Sequence, residues 1–236
     1  MFALTILGRP AQVWKLPIGS SALFYPAVGA LIGGLVGALD WVLRTFLSQE
    51  ITSVFLLGML ALLSSGRQLD GFANAADGLI GFRGREWAIA TMHDRPLGTS
   101  GAAAIFFLLI LKVRSLDLIS EPIRFAGLLL PPLIGRWALV ALAYGARRAA
   151  ADGEAAASFD STIGARELAV ASGFAVTVTL VAGGALGLFV LIIAGLATVG
   201  LRLYFDRRLG GVTGQALDAG AEVLEALALI IFALAS

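Results

Sequence analysis

Long apolar segments alternate with short polar ones along most of the chain, a pattern typical of helices that cross a membrane several times. A helix needs about 20 mostly apolar residues to span a bilayer. We predict seven spans, with six as the alternative. The second segment is short, Pro131-Pro132 break the fourth, and a tight glycine turn at Gly183-Gly184 joins the fifth to the sixth. The seven segments are 22–43, 50–66, 98–115, 125–146, 167–185, 184–204 and 215–235.

The composition is that of a membrane protein. The 236 residues are 58% hydrophobic and 14% charged, with a mean hydropathy of +0.91, whereas a soluble domain carries about 25% charged residues. A formal net charge of +1 gives no basis for binding a nucleic acid. The absence of cysteine excludes disulfides and thiolate metal sites. We therefore predict an all-α, polytopic membrane protein with a single integral membrane domain over residues 1–236.

The distribution of Lys and Arg predicts how the spans are oriented. Basic residues of short loops collect on the cytoplasmic side of membrane proteins. With a cytoplasmic N-terminus, most loop arginines fall on that side, and Arg44, Lys112, Arg114 and Arg124 fall on the other. This orientation places the two most polar segments, 67–101 and 206–225, together on the cytoplasmic face of a bacterial inner membrane.

Glycines recur every four residues in the first span, at Gly29, Gly33 and Gly37. This spacing puts all three on one face of a helix, where the lack of side chains lets a second helix approach closely. We expect this face to pack against another span; small residues that face lipid are the alternative.

The segment 67–101 carries acidic and amide side chains at helical spacing. Asp70, Asn74 and Asp77 stand at positions i, i+4 and i+7, so a helix places them on one face. Carboxylates beside a bilayer are costly unless they bind a cation or face a polar cavity, and oxygen ligands suit Mg²⁺. We predict an interfacial or re-entrant helix over 69–80 that binds a metal, and a second short helix over 85–93. Acids that merely pair with nearby arginines are the alternative.

A loop with further candidate residues follows the second short helix. The loop contains Asp94, Arg95 and Thr99, and His93 is the last residue of the helix before it. His93 is the only histidine in the chain, so a site with several histidine ligands is excluded. Thr99 or Ser100 is expected to cap the next span, whose free N–H groups would attract a phosphate.

The segment 206–225 begins with a glycine-rich loop that two arginines precede. Glycine lets the backbone N–H groups approach an oxyanion closely, and guanidinium groups add positive charge. An ordinary cytoplasmic turn is the alternative. The residues concerned are Arg207, Arg208, Gly210, Gly211, Thr213 and Gly214.

Charged residues also lie inside apolar segments. Asp218, Glu222 and Glu225 recur at helical spacing in the last one, where a carboxylate without a partner is destabilising. They either belong to the site or neutralise arginines in a buried network. Arg136 lies inside the fourth segment, where it faces a substrate cavity or pairs with an acid.

Five segments together resemble one known family, cobalamin synthase, also called adenosylcobinamide-GDP ribazoletransferase. The acidic segment is similar to the family's D-G-L-A-D-x-x-D-G signature, the loop after it to M-x-D-x-R-x-G-T-x-G, and the glycine-rich loop to G-G-x-T-G-D. The matches run in family order over nearly the whole chain, which is more specific than any single motif. The segments are FYPAVG from Phe24, DGFANAADG from Asp70, MHDRPLGTSG from Met92, GRWA from Gly135 and GGVTG from Gly210.

The resemblance implies an enzyme that completes the nucleotide loop of cobalamin. Its substrates would be adenosylcobinamide-GDP and α-ribazole or its 5′-phosphate, its products adenosylcobalamin or its phosphate and GMP, and its cofactor Mg²⁺. Asp70, Asp77 and Asp94 would be catalytic and, with Asn74, would ligate the metal. The substrate-binding residues would be Asn74, Arg95, Thr99, Arg136, Arg207, Arg208, Gly210, Gly211, Thr213, Gly214 and Glu222. A second copy of the chain and other enzymes of the corrinoid pathway stay open as partners.

The sequence departs from the family pattern at three places. Asn74 and Gln215 each stand where the family has an aspartate, and both keep a carbonyl oxygen but lose a charge. Arg95-Pro96 inverts the usual order of a small residue and arginine. These changes would weaken Mg²⁺ binding, shift substrate preference or mark an inactive relative. Asp218, one turn after Gln215, is expected to replace part of the lost charge.

Three other functions suit a membrane protein of this kind. A CDP-alcohol phosphotransferase also arrays aspartates at cytoplasmic helix ends, but the arginine of its D-G-x-x-A-R start and its G-x-x-x-D-x-x-x-D end are missing here. A transporter would relay ions through the acids of the last segment, yet it is expected to spread polar residues over several spans. A non-catalytic membrane subunit would account for the two lost charges.

Overall fold

The computed structural model describes residues 21–64, 66–81, 83–93, 97–149 and 163–236. Within these ranges the named elements are all helical, so the predicted all-α class is confirmed. A short 3₁₀ turn, Ala22–Phe24, leads into the first α-helix. The α-helices are α1 (Tyr25–Leu43), α2 (Gln49–Leu63), α3 (Arg67–Ile80), α4 (Arg85–His93), α5 (Thr99–Leu118), α6 (Glu121–Ala143), α7 (Ala165–Leu209) and α8 (Gly214–Leu234).

In the described parts of the chain, three helical segments are long and apolar enough to cross a membrane on their own. They are Ala22–Leu43, Glu121–Ala143 and Ala165–Leu209. The pair α2 and α3 meets the same criteria only together, and it is bent by 89° at the break between them. Each of the seven predicted segments lies on a helix, two of them on α7, while the number of membrane crossings stays a prediction.

The long helix α7 is a helical hairpin. At Gly184 the backbone adopts φ 55° and ψ −139°, a conformation that favours glycine. Trp137 of α6 donates its indole N–H to Ser172 Oγ at 3.0 Å, and its ring lies 3.9 Å from the Cβ position of Gly195. A straight helix would hold Ser172 and Gly195 about 34 Å apart. The two halves therefore run back along each other, which confirms the turn predicted between the fifth and sixth segments.

The central helix of the fold is α6, which packs against α1, α7 and α8. Its residues 130–136 are all buried. The helix continues across Pro131-Pro132, so the prediction that these prolines break the span is wrong. Each proline costs the helix one N–H donor, a loss that membrane helices tolerate where neighbouring helices surround them.

The glycine face of α1 is the surface on which α6 packs. A Cβ built on Gly33 would lie 2.5 Å from the carbonyl oxygen of Leu129. Gly29 meets the backbone of α6 at Pro132 in the same way, and Gly37 faces an aromatic side chain of α6. The predicted close approach of a second helix is confirmed.

Arg124 of α6 bonds to two other helices at the far end of the contact between α1 and α6. Its Nη2 lies 2.7 Å from Asp40 Oδ1 of α1, and its Nη1 donates to the Leu116 carbonyl of α5 at 3.0 Å. We predicted Arg124 among the basic residues outside the spans, yet it is 2% exposed. Burial is possible because Asp40 neutralises the charge and the remaining donors find a helix end.

Substituting the glycines of α1 by alanine tests this packing. Gly33→Ala should lower the free energy of unfolding by about 1–3 kcal/mol, because the added methyl group meets backbone that cannot move aside. Gly34→Ala is the matched control, since its Cβ would lie 3.8 Å from Leu129 Cδ1, an ordinary contact. Thermal unfolding of the detergent-solubilised protein, followed by circular dichroism, measures the difference. Equal stability of the two variants would contradict the close α1–α6 contact.

Candidate functional site

The two polar helices predicted from the sequence are present. The predicted helix 69–80 is α3, and the predicted helix 85–93 is α4 with the same bounds. Of the three residues predicted as ligands on α3, Asp70 is exposed, Asn74 is buried and Asp77 is half-buried. The helix packs against α4, α5 and α8, so its polar residues lie where several helix ends meet.

The Asp77 carboxylate holds the first turn of α5. Its Oδ2 accepts the N–H of Gly98 at 2.8 Å, and its Oδ1 accepts the N–H of Gly101 at 2.7 Å. A Cβ on either glycine would lie 2.5 Å from this carboxylate. The cap that we expected from Thr99 or Ser100 is therefore made by Asp77, and Thr99 is exposed. Two N–H groups that we expected to attract a phosphate are bonded to an anion of the protein itself.

Asp218 of α8 lies against the acidic helix. A Cβ on Gly71 would lie 2.5 Å from Asp218 Cβ, so the two helices touch at this point. Asp218 interacts electrostatically with Arg67 and with Asp70, both on α3. The sequence suggested Asp218 as part of the site or of a buried charge network, and as a partial substitute for the charge missing at Gln215; the structure places it against α3 at Gly71.

The residues predicted to bind magnesium are described only in part. Asp94 and the neighbouring Arg95 lie outside the described residues. Among the residues that are described, no three acids or histidines come close enough together to share a metal ion. Asp77 directs both oxygens at α5, whereas Asp70 and Asp218 offer carboxylates of the kind that suits a hard cation. Magnesium binding therefore stays a prediction.

The glycine-rich loop packs closely against other parts of the protein. Gly210 has φ 70°, which favours glycine, and it lies against the guanidinium group of Arg85. Gly211 lies against the carbonyl of Arg147, which accepts the N–H of Val212 at 2.9 Å. We predicted that the backbone of this loop would lie close to an oxyanion. In the structure it lies close to the backbone at Arg147, in the segment before α7.

Thr213 connects this loop to α4 and α8. It is buried, and its Oγ1 accepts the N–H of Ala216 at 3.0 Å, which caps α8. The same hydroxyl lies 3.5 Å from Met92 Sδ of α4. Arg208 is half-buried, and one of its terminal nitrogens has no hydrogen-bond partner among the described residues. Of residues 207–214, Arg207 and Gly214 are exposed. These contacts confirm that the two polar segments converge.

Two basic and two acidic side chains form an ion cluster between α5, α6 and α8. Lys112 Nζ lies 2.6 Å from Glu222 Oε2 and 3.0 Å from Glu225 Oε1, and Arg136 Nη1 lies 3.3 Å from Glu225 Oε2. All four residues are at most 5% exposed. Arg136 thus pairs with an acid, one of its two predicted roles. Lys112 was placed on the far side and was missed; the signal was a lysine inside an apolar segment, which needs an acidic partner.

A pocket opens beside this cluster, and we call it the Gln68 pocket. It contains about 320 Å³ of empty space, including its mouth. The four charged residues line one side, leucines of α2 and α5 line another, and Gln68 of α3 also faces it. Gln68 is 4% exposed, yet neither its Nε2 nor its Oε1 has a hydrogen-bond partner in the described structure, and Arg136 Nε lacks one too. Arg136 therefore also faces a cavity, while its predicted contact with substrate stays a prediction.

These features define a helical membrane protein in which polar groups from several helices meet around acidic residues. Comparison with known proteins then gives the family. The model of the cobalamin-5-phosphate synthase family matches residues 1–233. The chain belongs to this family of enzymes, as its motifs predicted.

Individual proteins of this family are also similar to the chain in sequence. An adenosylcobinamide-GDP ribazoletransferase from Geotalea daltonii is 32% identical over 213 residues, which cover 90% of this chain and 85% of the relative. A protein of the same name from Pseudomonas fluorescens strain SBW25 is 35% identical over 231 residues, which cover 95% and 93% of the two chains. No solved structure matches.

The bonds of Asp77 to α5 predict a loss of stability on neutralisation. Asp77→Asn replaces one acceptor oxygen by an NH₂ group, so one of the two N–H groups loses its partner. We expect the free energy of unfolding to fall by about 1–3 kcal/mol. Glu86→Gln, which neutralises an exposed acid on the neighbouring helix α4, is the control and should stay within about 0.5 kcal/mol of wild type. Equal unfolding midpoints for both variants would contradict the capping role.

The ion cluster predicts a larger loss of stability on substitution, part of which a second substitution should recover. Lys112→Met leaves two buried carboxylates with one cation between them and should destabilise the protein by about 3–5 kcal/mol. Adding Glu222→Gln removes the unbalanced charge and should recover part of that loss. Arg114→Met, which removes an exposed cation of the same helix, should change stability little. The stabilities are compared through unfolding midpoints in detergent. A double variant no more stable than Lys112→Met alone would refute the charge-balance argument.

Proposed function

We propose that this protein catalyses the step that joins adenosylcobinamide-GDP to α-ribazole or its 5′-phosphate, with release of GMP. The match to the cobalamin-5-phosphate synthase family over residues 1–233 carries this proposal. The relatives are named adenosylcobinamide-GDP ribazoletransferase, and this name supports the same donor and acceptor. The product is adenosylcobalamin or its 5′-phosphate, and we propose that the reaction takes place at the cytoplasmic face of the bacterial inner membrane.

The chemistry is a substitution at phosphorus. A ribose hydroxyl of the acceptor attacks the cobinamide-linked phosphorus of the donor, and a new P–O bond forms. The P–O bond to the GMP phosphate breaks, and GMP leaves with the electron pair while the hydroxyl proton passes to a base. In such reactions the protein contributes mainly by positioning the reactants and by stabilising developing charge.

The acids of α3 and α8 are the proposed centre of this reaction. Asp70 and Asp218 lie on the two sides of the contact at Gly71, and Asp94 follows α4. We propose these three carboxylates, with the amide oxygen of Asn74, as the oxygen donors for Mg²⁺; the cation would neutralise the diphosphate. Asp77 has a different task, because holding α5 fixes the helix that begins beside the acids.

The same arrangement accounts for the departures from the family pattern. Asn74 and Gln215 each lack a charge that the family carries. Asp218 is three residues after Gln215 on α8 and faces α3. We propose that it supplies the negative charge that these two positions no longer provide. Arg208 has a guanidinium nitrogen with no hydrogen-bond partner in the described parts of the chain. We propose it, with Arg207 and Arg95, as a contact for phosphate.

The test is GMP release from adenosylcobinamide-GDP by the purified protein in liposomes. With α-ribazole phosphate and Mg²⁺, the wild type should form GMP and a complete corrinoid in equal amounts, and chelation of Mg²⁺ by EDTA should abolish both. Asp218→Asn should lower kcat by about 100-fold or more, the size expected for an electrostatic group at the reacting centre. Both products are quantified by chromatography.

The matched control is Glu86→Gln, which neutralises an exposed acid on α4 and should leave kcat unchanged. Absence of GMP with the wild type, under conditions in which a relative is active, would refute the proposed function. Full activity of Asp218→Asn would refute its role while leaving the reaction itself in place.

A further inference from the structure

The Gln68 pocket contains unpaired hydrogen-bonding groups of both kinds. Gln68 is 96% buried, and its amide presents one nitrogen with two donors and one oxygen acceptor, none of them bonded within the described residues. Exchanging the positions of its nitrogen and oxygen would not change this result, because both atoms lack partners. A buried amide without partners costs about 1–3 kcal/mol, so its presence indicates that something else bonds to it.

The charges around the pocket favour a neutral occupant. Lys112 and Arg136 contribute two positive charges, and Glu222 and Glu225 contribute two negative ones, so the four side chains balance. An added anion or cation would be buried without a counterion, which is unfavourable in a dry site. A cation would also leave Arg136 Nε and the Gln68 nitrogen without acceptors. A neutral group that both donates and accepts satisfies all of these atoms.

A primary carboxamide is a neutral group with this pattern, and unlike a water molecule it also carries hydrocarbon that can lie against leucines. Its oxygen accepts from the Gln68 nitrogen and from Arg136 Nε, and its NH₂ donates to the Gln68 oxygen. The leucines of α2 and α5 complete the pocket with an apolar wall. The occupant is therefore expected to combine a carboxamide with adjoining hydrocarbon.

We infer that the Gln68 pocket binds a carboxamide side chain of the corrinoid half of the substrate, together with the adjoining edge of the ring. This inference rests on the proposed function, since a corrin ring is largely apolar and cobinamide carries primary carboxamides around its rim. The enclosed space is about 20 Å³, and the figure of about 320 Å³ includes the open mouth, so the amide group enters the pocket while the ring edge lies at its mouth. Glu222 lies four residues along α8 from Asp218, about 6 Å of helix rise, so the pocket lies next to the proposed phosphate chemistry.

The experiment measures binding of dicyanocobinamide, which lacks the GDP group, to the purified full-length protein in detergent by equilibrium dialysis. Gln68→Met keeps the length of the side chain and removes both hydrogen bonds. It should weaken cobinamide binding by about 10- to 100-fold, while the unfolding temperature stays the same or rises because an unpartnered buried amide is gone. Gln49→Met is the control: this glutamine also lies on a neighbouring helix, but its amide donates to the Asp117 carbonyl, so cobinamide affinity should not change.

A second ligand tests whether Gln68 recognises the amide itself. Each cobinamide monocarboxylic acid, made by hydrolysis of one amide and separated, has a carboxylate in place of one carboxamide. The wild type should bind one of these acids at least about tenfold more weakly than cobinamide, and Gln68→Met should lose that preference. An equal preference in both proteins would overturn the inference.

The remaining outcomes are also decisive. If ordered water alone fills the pocket, Gln68→Met leaves cobinamide affinity unchanged, and the inference fails. If Gln68→Met lowers the unfolding temperature, cobinamide affinity is measured for Leu109→Phe instead. This variant narrows the pocket from its apolar side and leaves Gln68 in place. Unchanged affinity in that variant overturns the inference.

The GMP assay separates this inference from the proposed function. A wild type that binds cobinamide through Gln68 but forms no GMP would support the pocket and refute the reaction. A wild type that forms GMP, with KM for adenosylcobinamide-GDP unchanged by Gln68→Met, would support the reaction and refute the pocket. If both hold, Gln68→Met raises KM by about 10-fold or more and changes kcat little.

Discussion

The buried ion cluster of Lys112, Arg136, Glu222 and Glu225 is the interaction on which the rest of the structure depends. Charges in an apolar interior are tolerated only when they are paired closely. Because the four residues belong to α5, α6 and α8, their pairing sets how deep each helix lies relative to the other two. With α8 held at that depth, Asp218 meets α3 at Gly71, and the acids of the two polar segments come together.

Several groups in the two polar segments hold the structure together. Asp77 binds the first turn of α5, Thr213 caps α8, and the glycine loop packs on Arg85 and Arg147. These contacts order the helix ends around the acids. A polar residue in a motif is therefore no proof of contact with substrate.

Sequence reasoning worked where the signal is local. The bounds of α4, the turn at Gly184 and the glycine face of α1 all follow from residues close together in the chain. It failed where a contact joins distant segments. The ion pairs of Lys112 were missed because a single lysine carries no information about which acids face it, and Gln68 was missed because an amide at a helix start is usually solvated. Pro131-Pro132 suggested a break because local rules omit the neighbours that surround α6.

By itself, the sequence determined that the chain is an all-α membrane protein, that its polar residues fall in two segments, and which family it resembles. Those properties depend on composition, on periodicity and on motif order, all of which can be read along one dimension. The tertiary structure alone decided that Asp77 caps a helix, that Asp218 packs against α3 at Gly71, and that Lys112 neutralises two glutamates. It also placed beside them a Gln68 whose amide has no hydrogen-bond partner among the described residues. The physical reason is that hydrogen bonds and ion pairs act over a few ångströms, so a side chain's partner is set by how the helices pack and not by its distance along the chain.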